Sequence, residues 1–196
     1  MWWWHFSTSD EKLPPEKLLE RVHQVLQPAK LADPGFDLAK SIATAREKIA
    51  MLEESERFSR SIALADFVLA RQDTETARAI LDPIGAMSGD AAMRLADIAA
   101  EKKEWETAAR WYQQTWDLNT DKIGPLYLAG LALAQAGRKP DSEQLLARAR
   151  QLANTAPTQH EVAQMLARHG YASQAIELWE TIRRTAPFDE WAKSDS

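Results

Sequence analysis

Several residue types are scarce or absent in this chain of 196 residues, and each absence narrows what the protein can be. There is no cysteine, which excludes disulfides, thiol nucleophiles and cysteine-based metal sites. Glycine and proline number only 7 and 9, and β-branched residues are few beside the many Ala, Leu, Glu, Gln and Arg residues. Because these abundant types favour helices, we expect an all-α protein.

Long apolar runs and a basic excess are also missing. No run approaches the roughly 20 apolar residues of a membrane-spanning helix. The net charge is -5, and basic residues lie among acidic ones, whereas nucleic-acid-binding proteins usually gather basic residues on one face. We therefore expect no nucleic-acid partner. The N-terminal stretch lacks the basic region and cleavage site of a signal peptide, and we expect a soluble protein in the cytoplasm.

The N-terminus carries three tryptophans, Trp2, Trp3 and Trp4, within an apolar stretch of six residues. Such rings suit a membrane–water interface, so contact with a membrane is one interpretation. The flank at 10–12 lacks the basic patch that a stable anchor needs as a second signal. The favoured interpretation is that the tail folds back onto a helical groove, or that the chain is cut from a longer one.

Proline, glycine and polar clusters divide the chain into segments. A tail over 1–13 precedes a helical pair over 14–57, which is interpreted as a degenerate repeat or a cap. From 58 to 187 the pattern becomes a series of helix pairs, and 188–196 forms a C-terminal tail. Within the N-terminal pair, apolar residues at helical spacing predict helices over 14–27 and 36–55.

Three later segments align by their turns and small residues. They begin at Gly89, Ile123 and Ala156, which gives a period of 34 and then 33 residues. Each has a small residue on its first helix, another early on its second helix, and a large apolar residue four positions later. In segment order these three sets are Ala96, Gly130 and Ala163; Ala108, Ser142 and Ala175; and Tyr112, Leu146 and Trp179. Gly137 and Gly170 separate the two helices of the later segments.

This pattern resembles the tetratricopeptide repeat (TPR) family, whose repeats of about 34 residues each form two helices. The resemblance implies a right-handed α-solenoid of antiparallel helix pairs, in which small residues let the two helices of a pair approach closely. A degenerate repeat is expected from about residue 58, with Gln72 in place of the turn glycine and a second helix broken early by Pro83. Lys103 replaces the turn glycine in the first clear repeat.

The resemblance also implies a function, that of a non-enzymatic scaffold or adaptor which binds a protein or peptide in a concave groove lined by the first helices. The groove residues implied in this way are Met93, Asp97, Tyr127, Leu131, His160, Gln164 and Arg168. The chaperone-type carboxylate clamp of the family is absent, because its positions hold Met93, Asp97, Leu128, Pro157 and Glu161. With an apolar middle and a mildly basic end near Arg168, such a groove suits a partner segment that has an apolar centre.

Other functions find less support in the sequence. No enzyme motif is present, and the four histidines lack metal-ligand spacing, so no catalytic residue, metal or cofactor is expected. The main alternative is a structural or oligomerisation segment of a larger assembly that self-associates or attaches to a membrane through the N-terminal tryptophans. The aromatic helix with Trp105, Trp111 and Trp116 is interpreted as packing between repeats, with Trp116 partly exposed.

Overall fold

The structure, a computed structural model, describes residues 37–185. These residues form α-helices joined by short turns and contain no β-strand, as the composition predicted. In chain order the helices are α1 (Leu38–Ala50), α2 (Glu54–Leu69), α3 (Thr74–Gly85), α4 (Gly89–Glu101), α5 (Trp105–Leu118), α6 (Gly124–Gln135), α7 (Lys139–Leu152), α8 (Ala156–Arg168) and α9 (Ala172–Thr185). None of these helices has the length and apolarity needed to cross a bilayer. The N-terminal tryptophans, the predicted helix over 14–27 and the C-terminal tail lie outside the described residues.

The chain divides into two compact units after Leu64, within α2. In the first unit, α1 begins after Asp37, whose carboxylate accepts a hydrogen bond from the backbone N–H of Lys40 at 3.0 Å. This helix ends at Ala50, earlier than the predicted residue 55, because the chain turns and starts α2 at Glu54. We expected the boundary between the N-terminal pair and the repeats at residue 57, and this stays a prediction.

The second unit contains the helix pairs α4–α5, α6–α7 and α8–α9, here named repeats 1, 2 and 3. Neighbouring repeats pack through α5 against α6 and through α6 against α8, and α3 packs against α4. Consecutive helices joined by tight turns and packed in this order form an all-α solenoid, as the resemblance implied.

A residue with a left-handed backbone follows the first helix of each pair. These residues are Gln72, Lys103, Gly137 and Gly170, with φ values of 62°, 60°, 78° and 82°. They are spaced 31, 34 and 33 residues apart, which matches the repeat spacing seen in the sequence. At all four turns, the residue after the left-handed one donates its backbone N–H to the carbonyl five residues before it. Glu104 donates to Ala99 in this way at 2.8 Å, and Tyr171 donates to Leu166 at 2.9 Å. This pattern is the Schellman motif, and the degenerate repeat has it too.

The small residues expected at the helix crossings are all buried. Ala96, Ala108, Ala163 and Ala175 have no exposed surface, and Ser142 is also buried. Ala65, Ala77 and Leu81 of the degenerate repeat are buried in the same way. The crossing in repeat 2 is close, because a Cβ atom added to Gly130 would lie 2.7 Å from Cγ of Leu146.

Pro83 does not break its helix, contrary to the prediction. Helix α3 continues through Pro83 and ends at Gly85, so it has 12 residues where α5 has 14. The fixed φ of proline is compatible with a helix. Proline lacks the backbone N–H that a helix interior uses. Only two residues of α3 follow Pro83, so the helix tolerates it there.

The prediction that Trp116 is partly exposed is wrong. Its side chain is buried in the core, and the guanidinium of Arg148 on α7 lies 4.5 Å above its ring. Trp111 is the more exposed of the two. Its ring packs against Gly85 but is only half-buried. The five-residue separation directs the two rings to different neighbours, and the repeat that follows covers Trp116.

The left-handed turns lead to a stability prediction. Lysine in this conformation is strained by roughly 1–2 kcal/mol, whereas glycine is not. We expect Lys103→Gly to raise the free energy of unfolding by about 0.5–1 kcal/mol, measured by urea denaturation. The matched change Gly137→Ala removes a glycine where an added Cβ would contact nothing within 4 Å. It should therefore lower stability through backbone strain alone, and a loss of stability in Lys103→Gly would contradict this account.

Candidate functional site

A groove of about 770 Å³ lies between α4 and the C-terminal end of α8. We call it the α4–α8 groove. Its lining residues are Asp66, Leu69, Gln72, Thr74, Met93, Arg94, Asp97, Ile98, Glu101, Met165, Arg168 and His169. The lining therefore combines four apolar side chains with three acidic and three basic ones, if His169 is counted as basic.

Of the seven groove residues taken from the resemblance, three line this groove, namely Met93, Asp97 and Arg168. His160 and Gln164 lie earlier on α8, where their side chains contact each other at 2.7 Å. Tyr127 and Leu131, on α6, are buried, with 5% and 9% of their surface exposed. The structure thus brings the α4 positions and the end of α8 together but does not bring the α6 positions to the same surface. The partner-binding role of these residues stays a prediction.

The burial of α6 follows from its composition. Nearly every residue of this helix is apolar or small, and the first nine, Gly124 to Ala132, are all buried. A helix that is apolar on all faces packs inside the protein and has no solvent-facing side. The apolar composition of α6 on all faces therefore indicated, from the sequence alone, that this helix lines no open groove. The groove residues missed from the sequence include Asp66, Arg94, Glu101 and His169.

Asp97 and His169, which line the groove, form a polar cluster with Tyr112, and we call these three side chains the His169 cluster. The hydroxyl of Tyr112 donates to Oδ1 of Asp97 at 2.8 Å, and Nε2 of His169 lies 3.2 Å from the same oxygen. The other ring nitrogen, Nδ1, lies 2.8 Å from the backbone carbonyl of Met165. The Tyr112 and His169 rings meet edge to face, with centroids 6.3 Å apart. The cluster connects repeat 1 with repeat 3.

The environment of this cluster shifts two of its pKa values. The hydrogen bond to Asp97 raises the pKa of His169 above its ordinary value, although burial acts in the opposite direction. Burial raises the pKa of the Tyr112 hydroxyl, and the nearby Asp97 carboxylate raises it further. Tyr112 therefore keeps its proton and remains a hydrogen-bond donor to Asp97 across the physiological range.

A second ion pair joins α2 to α4. Arg94 donates from Nε and Nη2 to the two carboxylate oxygens of Asp66, at 2.6 and 2.8 Å. The hydrogen bond to Asp66 raises the pKa of the Arg94 guanidinium. Two parallel bonds hold both side chains in one geometry. Arg94 and Asp66 thus neutralise each other on the wall of the groove.

Two charges of the groove have no ion pair within residues 37–185, those of Glu101 and Arg168. Arg168 donates from Nε to the backbone carbonyl of Gln164 at 3.3 Å. Both side chains are largely exposed. In the same part of the chain, no three His, Asp or Glu side chains are grouped to hold a metal ion.

Comparison with known proteins identifies the fold. No family model matches the chain, and no curated protein matches it either. Two solved structures do match, both of a Podosopora anserina protein described as a putative kinesin light chain with nearly identical TPR-like repeats, one of them a variant of the other. Each has 14% sequence identity and a TM-score of 0.51; they cover 88% and 92% of this chain, and 96% of the matched chain in both cases. This chain has a TPR-like helical repeat fold.

In the TPR-like fold, α2, α4, α6 and α8 are the first helices of their repeats. The α4–α8 groove is lined by three of them, α2, α4 and α8, together with Gln72 and His169, which follow α2 and α8, and Thr74 at the start of α3. The remaining first helix, α6, lies in the core of the TPR-like stack. Three of the four first helices therefore contribute residues to the groove, and α6 contributes none.

Two buried tyrosines of this TPR-like core provide a matched test. Tyr112 donates to Asp97, whereas the hydroxyl of Tyr127 is buried without a hydrogen-bond partner among the described residues. Replacing Tyr112 by Phe should lower the free energy of unfolding by about 1–2 kcal/mol, because the buried bond to a carboxylate is lost. Tyr127→Phe should be neutral or stabilising, because it removes an unsatisfied polar atom.

The measurement is urea denaturation of both variants and wild type at pH 7. Both changes delete the same atom from a buried tyrosine, so each variant is the control for the other. Equal losses of stability in the two variants would show that the Tyr112–Asp97 bond has no special importance.

Proposed function

We propose that this protein is a non-enzymatic scaffold or adaptor that binds a segment of a partner protein in the α4–α8 groove. The observation that carries the proposal is a groove with a mixed apolar and charged lining, in which Glu101 and Arg168 have no ion-pair partners in the described residues. Its volume of about 770 Å³ lies within the usual range of ligand sites. The TPR-like fold supports a protein as the partner.

The apolar contact surface comes from the partly exposed side chains of the lining, Leu69, Met93 and Met165, whereas Ile98 is buried. Leu69, Met93, Ile98 and Met165 come from three different helices. Methionine side chains adapt their shape to what they contact, and Met93 and Met165 are both partly exposed. The groove therefore suits a segment with an apolar centre.

The charged part of the lining favours one orientation of that segment. The charges of Asp66 and Arg94 satisfy each other, and Asp97 is engaged by Tyr112 and His169. Binding therefore need not disrupt these pairs. Glu101 on α4 is available to a basic side chain and Arg168 on α8 to a carboxylate, and such charge complementarity gives specificity and fixes register.

This proposal differs from a chaperone-type carboxylate clamp. In the clamp positions on α4 the groove has Met93 and Asp97 in place of basic or amide side chains, and Asp97 is already hydrogen-bonded. A chain terminus held by several cations is therefore not the expected ligand. An internal segment with apolar, acidic and basic residues is the better match.

A peptide library tests the proposal. Random peptides displayed on phage are selected on the full chain, and the best binders are synthesised for affinity measurement. We expect Arg168→Ala to weaken their binding by about 10- to 100-fold, the value of one charge-assisted hydrogen bond. Arg110→Ala removes an exposed arginine of α5 that does not line the groove, and it should leave the affinity unchanged.

Photo-crosslinking locates the bound peptide independently. A benzophenone amino acid placed at Met93, in the groove, should crosslink to the selected peptides. The same amino acid at Met87, which is exposed but outside the groove, should not. Equal effects of the two arginine changes, or crosslinking at Met87 only, would contradict the assignment of the groove.

A further inference from the structure

The imidazole of His169 faces a hydrogen-bond acceptor at each of its two nitrogens. Nδ1 lies 2.8 Å from the carbonyl oxygen of Met165, and Nε2 lies 3.2 Å from the carboxylate of Asp97. Neither a carbonyl oxygen nor an ionised carboxylate has a proton to give, so each contact needs an N–H from the ring. Only the doubly protonated imidazolium supplies both.

We propose that His169 forms a pH-dependent link between repeat 1 and repeat 3. The link exists when the imidazole ring carries two protons and is lost when the ring gives up one of them. The link itself is the contact of Nε2 with Asp97, whereas Met165 lies on the helix that His169 caps and holds the Nδ1 proton. The link joins the end of α8 to α4, and through the shared Asp97 carboxylate it also reaches Tyr112 of α5. Histidine is the side chain whose charge changes near neutral pH.

The surroundings of the ring favour the charged form. His169 caps the C-terminal end of α8, where the helix dipole stabilises a cation. Asp97 of α4 faces the ring directly, Glu101 of α4 lines the same groove, and the ring of Tyr112 on α5 meets the imidazole edge to face. Arg168 on α8 acts in the opposite direction and lowers the pKa of His169, but the bond to Asp97 is the largest influence. Tyr171, which follows the turn, and Arg94 lie near the same cluster and interact with Tyr112 and Asp97.

His160, near the start of the same helix, is bonded in the opposite sense. The indole Nε1–H of Trp179 donates to Nδ1 of His160 at 3.2 Å. Indole nitrogen can only donate, so this nitrogen of His160 carries no proton in the structure. Of the two histidines of α8 and its cap, His169 is therefore the one whose ring nitrogens both face acceptors.

Loss of the proton turns the link into a repulsive contact. If Nδ1 keeps its hydrogen for Met165, the lone pair of Nε2 faces the Asp97 carboxylate, and the two no longer attract. The pKa of His169 is raised in the folded protein, from an ordinary value of 6.5. The link therefore contributes its full stability below about that pH, and the contribution disappears as the pH rises through the higher folded value. Met165, Arg168 and Asp97 all line the groove, so its width should change with the link.

Nuclear magnetic resonance of the histidine rings tests the link in the full chain between pH 5 and 9, with His169 assigned from the spectrum of His169→Gln. We expect the midpoint of His169 to lie above 6.5 and to fall toward that value in Asp97→Asn. Asp66→Asn is the matched control, since Asp66 lines the same groove but pairs with Arg94. A midpoint at or below the ordinary value, or equal shifts in both aspartate variants, would overturn the proposal.

Denaturation keeps the proposal testable if Asp97→Asn does not fold. Wild type should have a higher urea midpoint than His169→Gln at pH 6, and the difference should vanish by pH 9. A difference that is the same at both pH values would overturn the link. These measurements require no partner, so a failure to find peptides that bind the groove leaves their outcome unaffected.

Discussion

The close approach of α6 to α7 at Gly130 is the contact on which the rest of the structure depends. A side chain at this position would force Leu146 to move, because an added Cβ would lie 2.7 Å from its Cγ. Alanines occupy the equivalent crossings of repeats 1 and 3 without any exposed surface. Helix α6 is consequently buried among α5, α7 and α8, and the end of α8 meets α4, where His169 contacts Asp97.

This arrangement determines what the surface can offer to a partner. Because α6 has no open face, the candidate binding surface is confined to a groove walled by α4 and the end of α8. Its charges fall into two classes: Asp66, Arg94 and Asp97 hold the walls in place, whereas Glu101 and Arg168 have no ion pair in the described range. In the proposed groove, the charged residues that pair with one another are therefore different from those available to a partner.

The repeats could be predicted from the sequence because their requirements are local. Small residues at crossings and Gly137 and Gly170 at turns recur with a fixed period, and the structure confirms them. Gln72 and Lys103 adopt the same left-handed backbone, but neither residue type indicates it. The site was less predictable. Met93, Asp97 and Arg168 line the groove, yet the contact of Asp97 with His169 joins repeats that are not adjacent in sequence, and no periodicity reveals it.

The stability of Gly130→Val, set beside that of Ala134→Val, tests the central role of the crossing most directly. Ala134 lies on the same helix but is exposed, so its replacement measures only the cost of a β-branched residue in a helix, about 0.5–0.7 kcal/mol. We predict that Gly130→Val lowers the free energy of unfolding by about 1–3 kcal/mol through overpacking, even though valine has the better helix propensity. A Gly130→Val protein as stable as wild type would contradict the central role of this crossing.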